Sequence, residues 1–217
     1  MIKVILITIT SFLFVSCSFS RPTNDWQFKS SNYFKEYTYN FLNDDLILAK
    51  NDFNRALKHA KKSADLTTLA RIYLGECALN VSVGIEDKCE KYQNISNLLQ
   101  SKELDAYYSF INSSIKKEQI ELLPKQYRTY AYAIEEGNYK TAKEELFEMD
   151  KATSTLLSAA LMKKNLDELS RENLIKLSSH YGYKKSVLFW LEESKKHLSD
   201  SHKIEKIDKK IAVLKYR

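Results

Sequence analysis

The chain has 217 residues, of which 34 are Lys or Arg and 28 are Asp or Glu, and its net charge is +6. This length is enough for one domain, or a short repeat array, with a real core. Its lysine pairs are spread along the chain, which is typical of solvated helix faces and argues against a nucleic-acid or polybasic membrane patch. We therefore expect no nucleic-acid partner.

The first 16 residues have the pattern of an export signal. Lys3 supplies a positive charge, and the eleven residues 4–14 are apolar except for two Thr and one Ser. This run is too short for a membrane-spanning helix, which needs about 20 residues, but it matches the apolar region of a signal peptide. The stretch Phe14-Val15-Ser16-Cys17 then resembles the lipobox of bacterial lipoproteins. The resemblance implies that residues 1–16 are removed and that Cys17 carries lipid; an ordinary signal peptide with an incidental cysteine is the alternative.

The residue after Cys17 bears on the location of the protein. It is Ser18 rather than Asp. By resemblance to the sorting rules of Gram-negative lipoproteins, this implies the inner leaflet of the outer membrane, facing the periplasm. Residues 17–24 would then form a short polar tether and residues 25–217 a folded domain. The implied partners are the membrane, through the N-terminal acyl chains, and other proteins of the cell envelope.

The mature part of the chain has the composition of a helical protein. The whole chain holds only four Gly and two Pro, and Leu, Ala, Lys, Glu and Tyr dominate long stretches with few alternating apolar runs. This pattern predicts an all-α fold. The predicted helices are 25–42, 45–62, 66–81, 87–99, 102–117, 124–136, 138–149, 151–164, 168–180, 184–198 and 201–216.

Cys77 and Cys89 remain once Cys17 is assigned to lipid. In an oxidising compartment an even pair is expected to form a disulfide, and two free thiols are the alternative. Their spacing is not that of a zinc knuckle and no His lies near them, so we expect neither a metal nor a cofactor. The remaining His and Ser residues fit no metalloprotease or hydrolase motif. We therefore expect a protein that is not an enzyme and has no small-molecule substrate.

Three segments share one template, in which a turn leads to an aromatic residue and then to a helix with small and large apolar residues on one face. The predicted turns are Asn51-Asp52-Phe53, Gly137-Asn138-Tyr139 and Tyr181-Gly182-Tyr183. In the second copy Ala142 and Leu146 follow the aromatic residue at the matching positions. We expect both side chains to be buried against neighbouring helices.

The template resembles the second helix of a tetratricopeptide repeat, and residues 124–149 match it best. The three aromatic residues lie 86 and 44 residues apart, whereas tetratricopeptide repeats recur about every 34 residues; the spacing is nearer to that of the longer Sel1-like repeats. The resemblance implies an irregular array of antiparallel helical hairpins, that is, a TPR-like α-solenoid. An ordinary helical bundle is the alternative.

Tyr127, Tyr130 and Tyr132 lie on the first helix of the best-matching hairpin. In hairpin arrays these helices line a concave groove, and Tyr is frequent in binding hot spots; core packing is the alternative for each of them. Tyr132 cannot share one helical face with both Tyr127 and Tyr130, so we expect at least one of the three to be exposed or interfacial. The sequence thus predicts a lipid-anchored scaffold or adaptor that binds other envelope proteins through this groove, as an accessory subunit of an envelope complex. An envelope enzyme or a peptidoglycan-binding factor is the rival prediction.

Overall fold

A computed structural model describes residues 24–216. This part of the chain is all-α, which confirms the predicted fold class, and it contains no strand. The helices are α1 (Asp25–Leu42), α2 (Leu46–Ala60), α3 (Thr67–Ser82), α4 (Glu90–Ser96), α5 (Lys102–Ile111), α6 (Lys125–Glu135), α7 (Tyr139–Phe147), α8 (Ala152–Leu161), α9 (Glu168–His180), α10 (Lys184–Lys196) and α11 (Ser201–Lys215). Two 3-10 helices, Lys117–Leu122 and Lys163–Asn165, lie between them.

The predicted signal peptide, Cys17 and nearly all of the predicted tether lie outside the described residues. Within residues 24–216 no helix is both long and apolar enough to span a bilayer.

Side-chain caps define where five of the helices begin. In each case an oxygen of the capping residue accepts a hydrogen bond from a backbone N–H in the first turn, which satisfies a donor that has no partner inside the helix. The capping residues are Asp45, Ser101, Asn138, Asp167 and Asp200.

The predicted helix 102–117 is wrong at its C-terminal end. Helix α5 ends at Ile111, and Ser113 adopts a left-handed backbone with φ 53°. The N–H of Ser114 bonds back to the carbonyl of Ser109, the closure typical of a helix C-terminus. Asn and Ser favour such ends because their short polar side chains compete for backbone hydrogen bonds.

Three hairpins share one turn geometry. The α1–α2, α6–α7 and α9–α10 turns each have a left-handed central residue: Asp44, Gly137 and Gly182, with φ of 69°, 70° and 70°. The predicted turn at Asn51-Asp52-Phe53 is therefore wrong, because these residues lie inside α2. The turn of that hairpin lies at Asn43–Asp45, and Asp52 instead accepts a 2.8 Å hydrogen bond from the Asn40 side chain across the hairpin.

The core forms around α3 and α8. Both helices are buried on most sides, as expected for central helices, and they pack against each other. A smaller apolar cluster joins α1, α2 and one face of α3, while the larger cluster extends from α3 to α10. Ala142 and Leu146 are fully buried in the larger cluster, as their offsets predicted.

Contacts between helices that are distant in sequence shape the molecule. Helix α3 packs on α8, and α1 touches α10. In a solenoid each repeat contacts only its neighbours. These contacts favour the alternative arrangement, a bundle of hairpins around α3 and α8, and they bring the first and third hairpins together.

Candidate functional site

Two of the three candidate groove tyrosines belong to the core. Tyr127 and Tyr130 are 5% and 2% exposed, and both rings pack against Phe110. The Tyr127 hydroxyl is 3.0 Å from Ser154 Oγ, and that of Tyr130 donates to the Ser158 carbonyl at 2.7 Å. The expectation that these two side chains face a groove is wrong, because their helix turns that face towards α5 and α8.

Tyr132 lies on another face of α6 and is half-buried. Its hydroxyl donates to Glu121 at 3.1 Å, and Arg128 forms an ion pair with the same carboxylate at 3.0 Å. The hydrogen bond to Glu121 raises the pKa of the Tyr132 phenol. The side chain is thus held in a local polar network, and its role in partner binding stays a prediction.

Cys77 and Cys89 have the geometry of a disulfide. Their sulfurs are 2.01 Å apart and their Cα atoms 5.3 Å apart. The Asp87 carboxylate orders the connecting loop, since it accepts hydrogen bonds of 2.7 Å from the Cys89 N–H and from the Asn80 side chain. Cys77, Asp87 and Cys89 place three possible ligand atoms within 4.8 Å of one another, but sulfurs joined in a disulfide are not available as metal-binding thiolates.

An exposed aromatic cluster lies where the first and third hairpins meet. The rings of Tyr181 and Tyr183 stack with centroids 5.4 Å apart, and His180 meets Tyr181 edge-on at 5.0 Å. Tyr39 of α1 lies nearby. Burial is the largest cause of the raised pKa of Tyr183, and the phenols of Tyr181 and Tyr39 raise it further. Tyr39 and Tyr181 are 52% and 44% exposed, so this cluster presents aromatic faces to solvent.

Salt bridges fix the α1–α2 turn beside the α9–α10 hairpin. The Asp44 carboxylate lies 3.9 Å from Lys184 Nζ and 3.5 Å from Lys185 Nζ. Lys185 also sits 4.2 Å from the centre of the Phe41 ring, within the range of a cation–π contact. The two turns are therefore neighbours in space although they lie far apart in sequence.

The first turn of α2 adds aliphatic surface next to this junction. Leu46, Ile47 and Leu48 are all exposed, and Ile47 is 76% exposed. Consecutive residues of a helix point in different directions, so three apolar neighbours in a row cannot all reach the core. That run is a signal for this surface in the sequence, and it is independent of the spacing of the tyrosines.

Tyr39, Leu46, Ile47, Tyr181 and Tyr183 are together called the hairpin-end surface below. Scattered exposed apolar residues are normal on soluble proteins, whereas neighbouring large ones mark interaction sites. Comparison of the chain with protein-family models, curated proteins and solved structures gave no significant match, so the function has to be inferred from this geometry.

Proposed function

We propose that this protein is a lipid-anchored adaptor of the bacterial cell envelope. Cys17 would hold it in the outer membrane, facing the periplasm, and the hairpin-end surface would bind another envelope protein. The observation that carries the proposal is the exposed Tyr181 ring, stacked on the half-buried Tyr183 beside the exposed Tyr39.

The chemistry of this surface suits a protein partner. Aromatic side chains supply large contact areas at low conformational cost and dominate binding hot spots. A charged rim of Asp44, Lys184 and Lys185 borders the aromatic side chains, and protein interfaces commonly combine an apolar centre with a polar rim. The salt bridges and the left-handed turns hold the two hairpin ends in place, which lowers the entropy lost on binding.

The proposed binding surface differs from the groove of a TPR-like α-solenoid. Such a groove would be lined by the first helices of successive hairpins, but Tyr127 and Tyr130 of α6 point into the core. We therefore propose that a TPR-like set of hairpins has closed into a bundle and that its turns, rather than a concave face, contact the partner.

Site-specific photo-crosslinking in intact cells tests the proposal. A photoreactive amino acid would replace Tyr181 or Ile47, with Lys140, which is exposed on α7, as the matched control position. We expect both test positions, but not the control, to give the same discrete protein adduct. The double substitution Tyr39→Ala and Tyr181→Ala should remove the Ile47 adduct without lowering the melting temperature.

The same experiment distinguishes the rival functions. An adduct that muramidase digestion converts into small fragments would show peptidoglycan binding, and the protein-adaptor proposal would then be abandoned. Equal adduct patterns at Tyr181, Ile47 and Lys140 would show that the hairpin-end surface has no special role.

A further inference from the structure

Helix α11 lies over the α9–α10 hairpin but leaves space between itself and that hairpin. Its apolar stripe, Ile204, Ile207, Ile211 and Leu214, recurs with helical period, yet only Ile211 is buried. Ion pairs fasten the helix along its length: Lys203 with Glu168 at 2.9 Å, Lys195 with Asp208 at 2.6 Å, and Lys215 with Glu192 at 3.4 Å. The helix is therefore anchored at its edges and leaves space on both sides of its apolar stripe.

Two adjoining cavities occupy this space. The larger has a volume of about 770 Å³ and the smaller about 460 Å³, both within the usual range of small-ligand sites. They share Ile175, Leu191, Lys206 and Lys210 in their walls, so they adjoin, and together they are called the α9–α11 cavity below. Apolar side chains line most of the larger part: Ile175, Val187, Leu191, Val213 and Leu214.

The wall of the smaller part includes two buried polar side chains whose hydrogen bonding is incomplete. Arg171 is 6% exposed, and its guanidinium donates to the Leu166 carbonyl, while its fully buried Nε has no acceptor among the described residues. It forms no ion pair with a carboxylate of residues 24–216. Ser194 Oγ is also buried and has no hydrogen bond within the part of the chain that the structure describes, and both residues line this part of the cavity. Buried polar groups are nearly always hydrogen-bonded, and a buried cation is costly unless it is paired.

The surrounding charges also favour an anion. The wall of the smaller part carries five cationic side chains and two carboxylates, Glu168 and Glu172. Glu168 is already neutralised by Lys203. Positive charge therefore predominates in the wall of the smaller part.

We propose that the α9–α11 cavity binds a single-chain anionic amphiphile. The carboxylate or phosphate of its head would lie in the smaller part, where the positive charges of Arg171, Lys206 and Lys210 would stabilise it. Its acyl chain would lie along Val187, Leu191 and Leu214. The position of Arg171 beneath α11 favours a narrow ligand over a folded partner. This site is independent of the adaptor proposal and differs from the expectation, drawn from sequence, that no small molecule is involved.

Energy transfer from Trp190 to a bound probe tests the proposal. Trp190 precedes the cavity residue Leu191, and Trp26→Phe would leave it as the single tryptophan of the chain. The full-length protein would be held in phosphatidylcholine nanodiscs and titrated with 11-(dansylamino)undecanoic acid. The methyl ester of the same probe serves as the matched neutral ligand. We expect saturable transfer with the acid and at least about tenfold weaker binding of the ester, since the attraction between these positive charges and the charged head would be lost.

Two variants address the two parts of the cavity. Arg171→Gln should weaken binding of the acid at least about tenfold, whereas Arg128→Gln on α6, which does not line the cavity, should leave it unchanged. Val187→Phe would fill the apolar part and should abolish saturable transfer even if Arg171→Gln fails to fold. Displacement of the probe by oleate or by lysophosphatidylglycerol shows whether the site prefers a carboxylate or a phosphate head.

Other outcomes would overturn the proposal. Equal affinity for acid and ester would exclude an anion site, and unchanged binding in Val187→Phe would place the probe elsewhere. Transfer that never saturates would show only partition of the probe into the nanodisc lipid.

Discussion

Asp44 and Gly137 occupy the same place in two hairpin turns and share the same left-handed backbone, with φ of 69° and 70°. In both turns the N–H of the next residue bonds back to the preceding helix: Asp45 to Asn40, and Asn138 to Ala133. Asp tolerates this conformation better than most residues because its short side chain can bond locally. The two turns are thus equivalent although only one of them contains glycine.

Alanine at two left-handed glycines should have different effects. Gly137→Ala should lower the free energy of unfolding by about 1 kcal/mol, since the new Cβ meets no atom of residues 24–216 within 4 Å and only the backbone is strained. Gly84→Ala should cost about 3 kcal/mol, because its Cβ would lie 2.3 Å from the Phe189 ring and overpack that contact. Urea denaturation of both variants measures the difference; equal losses would show that the Phe189 contact is unimportant.

Charge in the middle of the α6–α7 hairpin should destabilise the fold. Ala142 is fully buried, so Ala142→Glu should lower the free energy of unfolding by about 3 kcal/mol. Phe147→Glu introduces the same charge on the exposed side of α7 and is the matched control. Thermal unfolding followed by circular dichroism compares them. Similar melting temperatures for the two variants would contradict the burial of Ala142.

Cys77 and Cys89 should not react with an alkylating agent until the protein is reduced. Mass spectrometry of the unreduced, denatured protein should find both residues unmodified, and reduction should expose both. Replacing the pair by serine should cost about 3 kcal/mol of stability, the loop-closure contribution expected for a disulfide of this separation. Full alkylation without a reductant would show that the cysteines are free in the cell.

Lipidation should depend on Cys17 alone. Cells that express Cys17→Ala should incorporate no radiolabelled palmitate into the protein and should accumulate the unprocessed precursor. Cys77→Ser, which leaves the lipobox intact, is the control and should be labelled normally. Labelling that persists in Cys17→Ala would place the lipid on another residue.

The cap of α9 should make stability depend on pH. Hydrogen bonds from Lys143 and Ser170 hold the pKa of Asp167 well below its usual range. A carboxylate with a lowered folded-state pKa stabilises the protein above its unfolded pKa, about 3.9, and this contribution is lost as the pH falls further. Asp167→Ala should therefore cost about 1 kcal/mol at pH 7, and the deficit should shrink below about pH 4.

Asp167→Asn separates the two roles of that side chain. Asn is also a good N-cap but cannot pair with Lys143. We expect an intermediate loss of stability at pH 7 with little change on acidification. If the deficit of Asp167→Ala were the same at pH 7 and pH 3, the ionised carboxylate would have no part in the stability of α9.

The sequence by itself determined which segments form helices and where most of them begin and end. Apolar period, helix propensity and capping residues act within a few residues, so α1, α3 and α9 could be located closely from local pattern alone. The offsets of Ala142 and Leu146 likewise identified a buried face, because a helix fixes which side chains share one side. The Asp44 turn was not predicted from the sequence. Aspartate can adopt the left-handed conformation in place of glycine, so no glycine marks this turn.

Only the tertiary structure decided which neighbouring residues each helix face contacts. Tyr130 and Tyr181 are both tyrosines of helical hairpins, yet the first packs against Phe110 in the core while the second is exposed near Tyr39. The difference arises from the contacts of α3 with α8 and of α1 with α10, which join segments far apart in the chain. The unpaired Arg171 and the cavity beneath α11 have the same origin, because burial depends on the neighbouring helices and not on the residue's own sequence context.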